Sequence, residues 1–389
     1  MPSSDIASPA LAPAPAGAFL TIDLDALVAN YLAIRELAKG SEVAGVVKAR
    51  AYGLGLAPVA RALWGAGCRT FCVATAGEGA TLRGLLPDAT IYILSGLIAG
   101  AADAYEAHGL RPCLSSLAEV EEWRALAKRR GRPLSAGLQF ETGLNRLGIA
   151  GREAERLIST PEALSGVDVT LVMSHLGCAD EADHPLNRHQ LERFWAIRAA
   201  FPGVTASLAN SAGVHLGAEY HFDLVRPGIA LYGGNPFTGR TNPCRPVVGL
   251  QGRILDVREV ASGETVGYGA AFEAKGPRRI AVIAMGYGDG FFRVLGSDRQ
   301  RSHVGGRVHI AGHYAPIAGR ISMDLISIDV TELSEGAVKR GDLAELIGPH
   351  VTLDEVATRA GTIGYEVLTN LGDRYKRIYT GAGCSTTES

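Results

Sequence analysis

From about residue 42 onward, short apolar runs alternate with longer stretches whose apolar residues recur three and four apart. VAGVVK, TFCVAT, TIYILSG, RPCLSS, LSAGLQF, VDVTLVMSHL, TASLAN and FDLVRPGIALYG are each short, apolar and bounded by turn residues, which predicts strands. LAPVARALWGAG and LAEVEEWRALAKRRG carry the helical period and end at glycine, the residue that most easily takes the left-handed conformation after a helix. About eight βα units in about 210 residues imply a parallel sheet, and that number closes into a (β/α)8 barrel better than it fits an open sheet.

After Tyr232 the rhythm changes. GNPFTGRTNPCRP is rich in turn formers and reads as a linker; VVGLQGRILDVREV, RRIAVIAMGYG, RVHIAGHYAPIAG and MDLISIDVTEL then follow one another with little helix between them. This part is expected to be a mostly antiparallel β domain, closed by the helical stretch TLDEVATRAGTIGYEVLTNLG. The organisation predicted is an α/β fold with a flexible leader at 1–17, a TIM-like barrel at 18–245 and a β domain at 246–389.

Composition narrows the class. Hydrophobic residues are 47% and charged residues 20% of the 389, and the 49 glycines are dispersed among apolar runs, as in a globular enzyme. A net charge of -2, without any basic cluster interleaved with aromatics, argues against nucleic acid as a partner. No apolar stretch approaches the ~20 residues that cross a bilayer. The opening MPSSDIASPALAPAPAG lacks the basic and apolar regions of a signal peptide, so a cytoplasmic location is expected. The six cysteines (Cys68, Cys72, Cys113, Cys178, Cys244 and Cys384) form no CxxC pair and sit mostly in apolar runs, as reduced thiols do.

Lys48 ends the first predicted strand, and the carboxyl ends of barrel strands are where active sites are built. Held among apolar neighbours, a lysine loses protons more easily and can serve as a Schiff-base amine or a general base. Position alone still favours a plain surface lysine. Further along, however, VVKARAYGLG (46–55) resembles the cofactor-binding motif of the alanine racemases, a lysine followed four residues later by tyrosine and then glycine. The resemblance continues in order through ETGLNRLG (141–148), MSHLGCADE (173–181), LANSAG (208–213), RPGIALYG (226–233), GETVGYGAAF (263–272), MGYGDGF (285–291), GRISMD (319–324) and GTIGYEV (361–367), nearly the whole chain.

That resemblance implies pyridoxal 5'-phosphate (PLP) as cofactor, bound as a Schiff base on Lys48, and racemisation of alanine as the activity. It implies that Tyr52, Ser211, Gly228, Ile229 and Tyr365 hold the phosphate, a dianion suited to backbone N–H groups and hydroxyls. His175 would stack by the ring and Arg226 would meet the pyridine nitrogen. A guanidinium keeps its proton, so it bonds to that nitrogen without protonating it, which weakens the electron sink and favours plain return of the proton.

Inverting a stereocentre needs proton transfer on two faces. The resemblance gives the D side to Lys48 and the L side to Tyr268. A tyrosine of ordinary pKa near about 10 is a poor base at neutral pH, so it needs help, here from His175 and Arg146. Arg146 would also orient the substrate carboxylate. In the family the second domain of the other subunit completes the site, so Tyr268, Tyr287, Met323 and Asp324 are expected to face a partner's PLP in a head-to-tail homodimer.

The chain departs from the family pattern at several places. Gln139 stands where family members often carry a carbamylated lysine; its amide oxygen could still accept a hydrogen bond from Arg146, or an anion could fill the gap. Arg50 replaces the usual aspartate, Leu54 a frequent histidine, and RYKRIY the common C-terminal ending. Other readings use parts of the same residues: a racemase of serine or other small amino acids, a PLP-dependent decarboxylase, a non-catalytic PLP carrier, or a cofactor-free Schiff-base aldolase. The Lys48 and Tyr268 pair argues against the decarboxylase, and the second domain against the carrier.

Overall fold

The computed structural model describes residues 16–297 and 305–381. Residues 1–15 of the expected leader, and Cys384, lie outside the described residues. The chain divides into two compact units: Ile22–Val248 with Thr352–Leu371 and the chain from Tyr379, and a second unit of the chain up to Thr21 with Gly249–Val351 and Gly372–Ile378.

In the first unit, parallel strands run in sequence order: Glu42–Val43 with Gly45–Val46, then Thr70–Val73, Thr90–Ile93, Arg111–Leu114, Leu134–Gln139, Val167–Met173, Thr205–Ser207 and Leu224–Val225. Leu224 pairs with Glu42 and Val225 with Val43. The Thr205–Ser207 edge is tied to the last strand by Asp223 N to Ala206 O (3.0 Å) and Arg226 N to Ala209 O (2.9 Å). The ring of eight is therefore closed. Its strands are buried on both sides, Thr70–Val73 completely, which is why they read as unbroken apolar runs instead of alternating ones.

The flanking helices start and stop where local chemistry tells them to. Ser116 caps Leu117–Arg130 by accepting from Glu119 N, Gly131 ends it at φ 66°, and Val120, Trp123, Leu126 and Ala127 form its buried stripe. Ala76–Leu85 opens with a capping box between Thr75 and Glu78. The seventh and eighth connections differ from the expected βα units. They contain only 3-10 turns, at Gly213–His215, Ala218–Tyr220 and Ile229–Tyr232. The helices Leu353–Ala360 and Gly364–Asn370 belong to this barrel unit and not to the β unit.

The second unit is built on Val248–Val260, a 13-residue strand with irregular register at Leu250/Gln251 and Ile254/Asp256. Such bulges bend a strand, and this one pairs antiparallel with Leu343–Ile347 along one stretch and with Arg278–Ile283 along another. Val260, Val266, Ala274, Ile280 and Ala318 form an apolar cluster beneath it. Among the described residues no helix is long and apolar enough to cross a membrane, and five cysteines are free thiols, Cys68, Cys72 and Cys113 buried.

Asn30, buried on the helix Leu24–Leu37, donates to Leu231 O (3.3 Å) and Arg245 O (2.9 Å) and accepts from Arg245 N (2.8 Å), fastening that helix to the end of the barrel. Asn30→Leu strands those three backbone groups. It should cost about 1–3 kcal/mol in urea unfolding; an unchanged midpoint would show that water replaces the amide freely.

Candidate active site

Lys48 follows the first barrel strand, where Val47 N donates to Cys72 O (2.9 Å). Behind it the backbone turns left-handed over four non-glycine residues: φ is 52° at Ala49, 55° at Arg50, 56° at Ala51 and 56° at Tyr52. Each such residue is disfavoured by roughly 1–2 kcal/mol, so something must hold the turn. Ala49 N donates to Glu78 Oε1 (2.6 Å), while Glu78 Oε2 accepts from Ala74 N (2.9 Å) and Thr75 N (3.3 Å). One carboxylate thus anchors the residue after Lys48 to the start of the helix Ala76–Leu85. At Gly53, φ 82°, a Cβ would meet Leu368 O at 2.5 Å, so the exit of the turn needs glycine.

The turn delivers Tyr52 into the interior, where it is 4% exposed. Its ring stacks on Tyr232 with centroids 4.5 Å apart, lies 6.1 Å from Tyr365, and its hydroxyl sits so close to Gly228 that any Cβ there would collide with it. Ser211 Oγ accepts from Gly228 N (2.8 Å) and Ala230 N (3.4 Å), which leaves the hydroxyl hydrogen to donate. Burial raises the Tyr52 phenol above its ordinary range and pushes that of Tyr365 up to about 12. Both remain protonated donors.

Arg226, 4% exposed, donates to Ser174 O (2.6 Å) and to Ser207 Oγ. Both acceptors are neutral; among the described residues no carboxylate pairs with it. Burial disfavours its charge, but a guanidinium does not give up its proton in a protein. His175 lies half-buried near this cation. Burial first, then Arg226, Arg146 and Lys48, pushes the imidazole down to about 3. Lys48 is lowered in the same direction by burial and by Arg146.

Arg146 is carried by a loop closed at its base by Glu141 N to Ile149 O (3.0 Å) and Ile149 N to Gln139 O (2.8 Å). Glu141 folds the loop by accepting from Gly143 N and Asn145 N, with Asn145 left-handed at φ 54°. Gln139 donates its amide nitrogen to Leu147 O (3.0 Å). The glutamine therefore braces the loop through the residue after Arg146.

Nine of the residues picked out in the sequence, Lys48, Tyr52, Arg146, His175, Ser211, Arg226, Gly228, Ile229 and Tyr365, line one cavity of ≈ 440 Å³ together with Gln139 and Asn210. Amine, guanidinium, hydroxyl and amide groups line it, and no carboxylate does. That donor set and volume fit PLP: a phosphate beside Tyr52 and Ser211, an aldehyde within reach of an amine, and a ring nitrogen able to accept from a guanidinium. Glu78, Ser174, Ser207 and Tyr232 were not foreseen. The Thr75–Glu78 spacing signalled a capping box, but nothing in it signalled the bond to Ala49.

The four remaining residues lie on the β unit. Tyr268, 71% exposed, starts a 3-10 turn whose glycines pack against Arg320. Tyr287 N donates to Ser322 O (3.0 Å) and Gly288 N to Met323 O (2.8 Å), while Arg374 bridges Asp324 (2.8 Å) and Asp289 (3.2 Å). With Tyr287 and Met323 41% and 54% exposed, these side chains form a second, outward-facing group.

Two outcomes test this geometry. Ala49→Gly should leave stability unchanged or raise it by up to about 1 kcal/mol, because glycine accepts the left-handed turn, whereas the same change in a right-handed helix loses about as much. Denaturant midpoints decide the sign. In the cofactor-free protein, His175 stays neutral when folded but takes a proton when unfolded below about pH 6.5, so stability should be lost as pH falls from there toward 3. His175→Asn should flatten that slope between about pH 7 and about pH 5; an identical slope in the variant would place its origin elsewhere.

Residues 22–236 match the family model for the alanine racemase N-terminal domain and residues 247–379 that for the C-terminal domain. The chain is 50% identical over 363 residues to an alanine racemase of Methylobacterium nodulans, covering 93% of this chain and 96% of that one. It is 46% identical to one from Rhodospirillum rubrum, over 94% and 96% of the two chains. Among solved structures, alanine racemase from Bartonella henselae, crystallised with covalently bound pyridoxal phosphate, superposes with a TM-score of 0.89 at 40% identity, covering 94% of this chain and all of that one. A lysine-centred cavity inside a closed parallel barrel, a following β unit, and these likenesses over both lead to one placement: the chain belongs to the alanine racemase family.

Proposed function

We propose that the chain interconverts L- and D-alanine, with PLP held in the barrel cavity and each site completed by a second copy of the chain. Bound PLP supplies an electron-withdrawing ring that acidifies the α-hydrogen of an attached amino acid. The observation that carries the reading is Arg226, a buried cation facing neutral acceptors in a cavity without carboxylates. An anionic cofactor relieves that burial, and a guanidinium opposite the ring nitrogen leaves the nitrogen unprotonated.

Lys48 would hold the cofactor through Nζ, and its lowered pKa keeps a neutral amine available nearer neutral pH, so that Nζ could serve as the base for the α-proton on one face. Tyr52, Ser211, Tyr365 and the backbone at Gly228 and Ile229 hold the phosphate, and Arg146 orients the carboxylate. His175, neutral at working pH, packs by the ring without adding charge. Tyr268 Oη of the partner copy serves the opposite face. Support for that sharing is its exposure on the β unit, which also exposes Tyr287 and Met323; these two and Asp324 would narrow the partner's entrance and meet the carboxylate.

Incubated with single L-amino acids in deuterated water, the PLP-loaded protein should exchange the α-hydrogen of alanine and lose optical rotation together; exchange without inversion would remove Tyr268 from its role. Lys48→Ala and Tyr268→Phe should each lower turnover by more than about 10²-fold. Mixed and allowed to reassort, the two inactive variants should regain about a quarter of wild-type activity, because each heterodimer rebuilds one intact site. No recovery, with subunit exchange verified, would place both groups on one chain.

A further inference from the structure

On the β unit, His309 of the strand Arg307–Ile310 and Glu345 of Leu343–Ile347 are cross-strand partners, so their side chains share one face of the sheet. The chain leaving Glu345 turns back through Gly348, where a Cβ would lie 2.5 Å from Glu345 Cδ, and brings His350 over the same face. Glu345 Oε1 accepts from His350 N (2.8 Å) and Val351 N (2.8 Å), which fixes the carboxylate; Oε2 is turned to His350 Nδ1 at 2.9 Å. The His309 and His350 rings stack with centroids 3.7 Å apart and planes inclined by 11°. One ligand atom from each of the three residues lies within 4.8 Å of the others, and no other such set of three occurs among the described residues.

From this arrangement we infer that His309, Glu345 and His350 form a binding site for a divalent cation of the zinc class, separate from the residues assigned to racemisation. Two imidazole nitrogens and one carboxylate oxygen are a borderline donor set. They suit Zn2+ and not Mg2+ or Ca2+, which take oxygen ligands, and they leave a fourth position to water. Ligands about 2.0–2.1 Å from a tetrahedral ion stand about 3.3 Å from one another. The His350 and Glu345 pair needs only slight opening to reach that separation, and rotation of the imidazoles about their side-chain bonds brings in His309. The cation takes the place of the proton shared between His350 Nδ1 and Glu345 Oε2, with the imidazole keeping its proton on Nε2. Carboxylate position, the element hardest to arrange on a surface, is already set by two backbone N–H groups. The bound ion would pin the hairpin of Arg307–Ile310 and His313–Pro316 to the turn after Leu343–Ile347. Tyr314 Oη to His350 O (3.0 Å) already makes the same link more weakly.

The test uses the full-length, PLP-loaded protein stripped with a chelator and titrated with Zn2+ by calorimetry, with melting followed in parallel. One saturable equivalent and a higher melting temperature are expected. The His309→Ala/His350→Ala double variant should lose that equivalent and Glu345→Gln should weaken it at least about tenfold, with metal-free racemisation unchanged in both. Wild-type protein without saturable binding, or a double variant that binds as wild type does, overturns the assignment. Absorption of bound Co2+ requires no substitution: intense tetrahedral-type bands support the three-ligand site, and a weak octahedral spectrum overturns it. Zinc binding, melting and cobalt absorption do not depend on the racemase reading.

Discussion

Burying a guanidinium among neutral groups is unfavourable by several kcal/mol unless an anion joins it, and the barrel cavity is organised around that imbalance. Ser207 and Ser174 satisfy the Arg226 donors without neutralising the charge. Burial, reinforced by its field, keeps His175 uncharged, and burial together with the Arg146 guanidinium draws the Lys48 amine down. A carboxylate beside Arg226 would weaken its push on the imidazole and offset the site's excess positive charge. The excess positive charge of the cavity and the neutral state of the imidazole therefore both trace in part to Arg226, whereas the amine is lowered by burial and by Arg146.

The second constraint is conformational. Strain at 49–52 is concentrated in the segment that connects the amine to Tyr52, and the restoring contacts come from Glu78 on one side and from the tight approach of Gly53 to Leu368 on the other. Such strain persists only where the surroundings over-determine it. Here it fixes where Lys48 and Tyr52 stand relative to each other, a spacing that a right-handed turn of the same length would not reproduce.

Most of the barrel was legible because strands buried on two faces leave continuous apolar runs, and because glycine and serine mark helix ends, as at Ser116 and Gly131. The nine cavity residues were legible through motif order, not through any one spacing. What stayed hidden has physical reasons. Ala49, Arg50, Ala51 and Tyr52 are not residues that announce a positive φ, so only Gly53 and Gly55 hinted at the turn. Glu78 stands at capping-box spacing from Thr75, yet a carboxylate has two oxygens and sequence does not say where the second points. Gln139 was read only for what its oxygen could accept; the structure also uses its nitrogen, on Leu147 O, a bond that sequence spacing does not announce. The amphipathic pattern of Leu353–Ala360 and Gly364–Asn370 shows that a face is buried, not against which unit.

That last placement bears on how the chain is made. Because the barrel unit spans Ile22–Val248 and then resumes at Thr352–Leu371, the ribosome releases the eight strands long before the segment bearing Tyr365. A nascent barrel therefore waits, with one wall of its cavity missing, while about a hundred residues of intervening β unit are synthesised. Completion of the cavity wall at Tyr365 is consequently among the last events of the unit's assembly, and translation itself sets the earliest moment at which the cavity is whole.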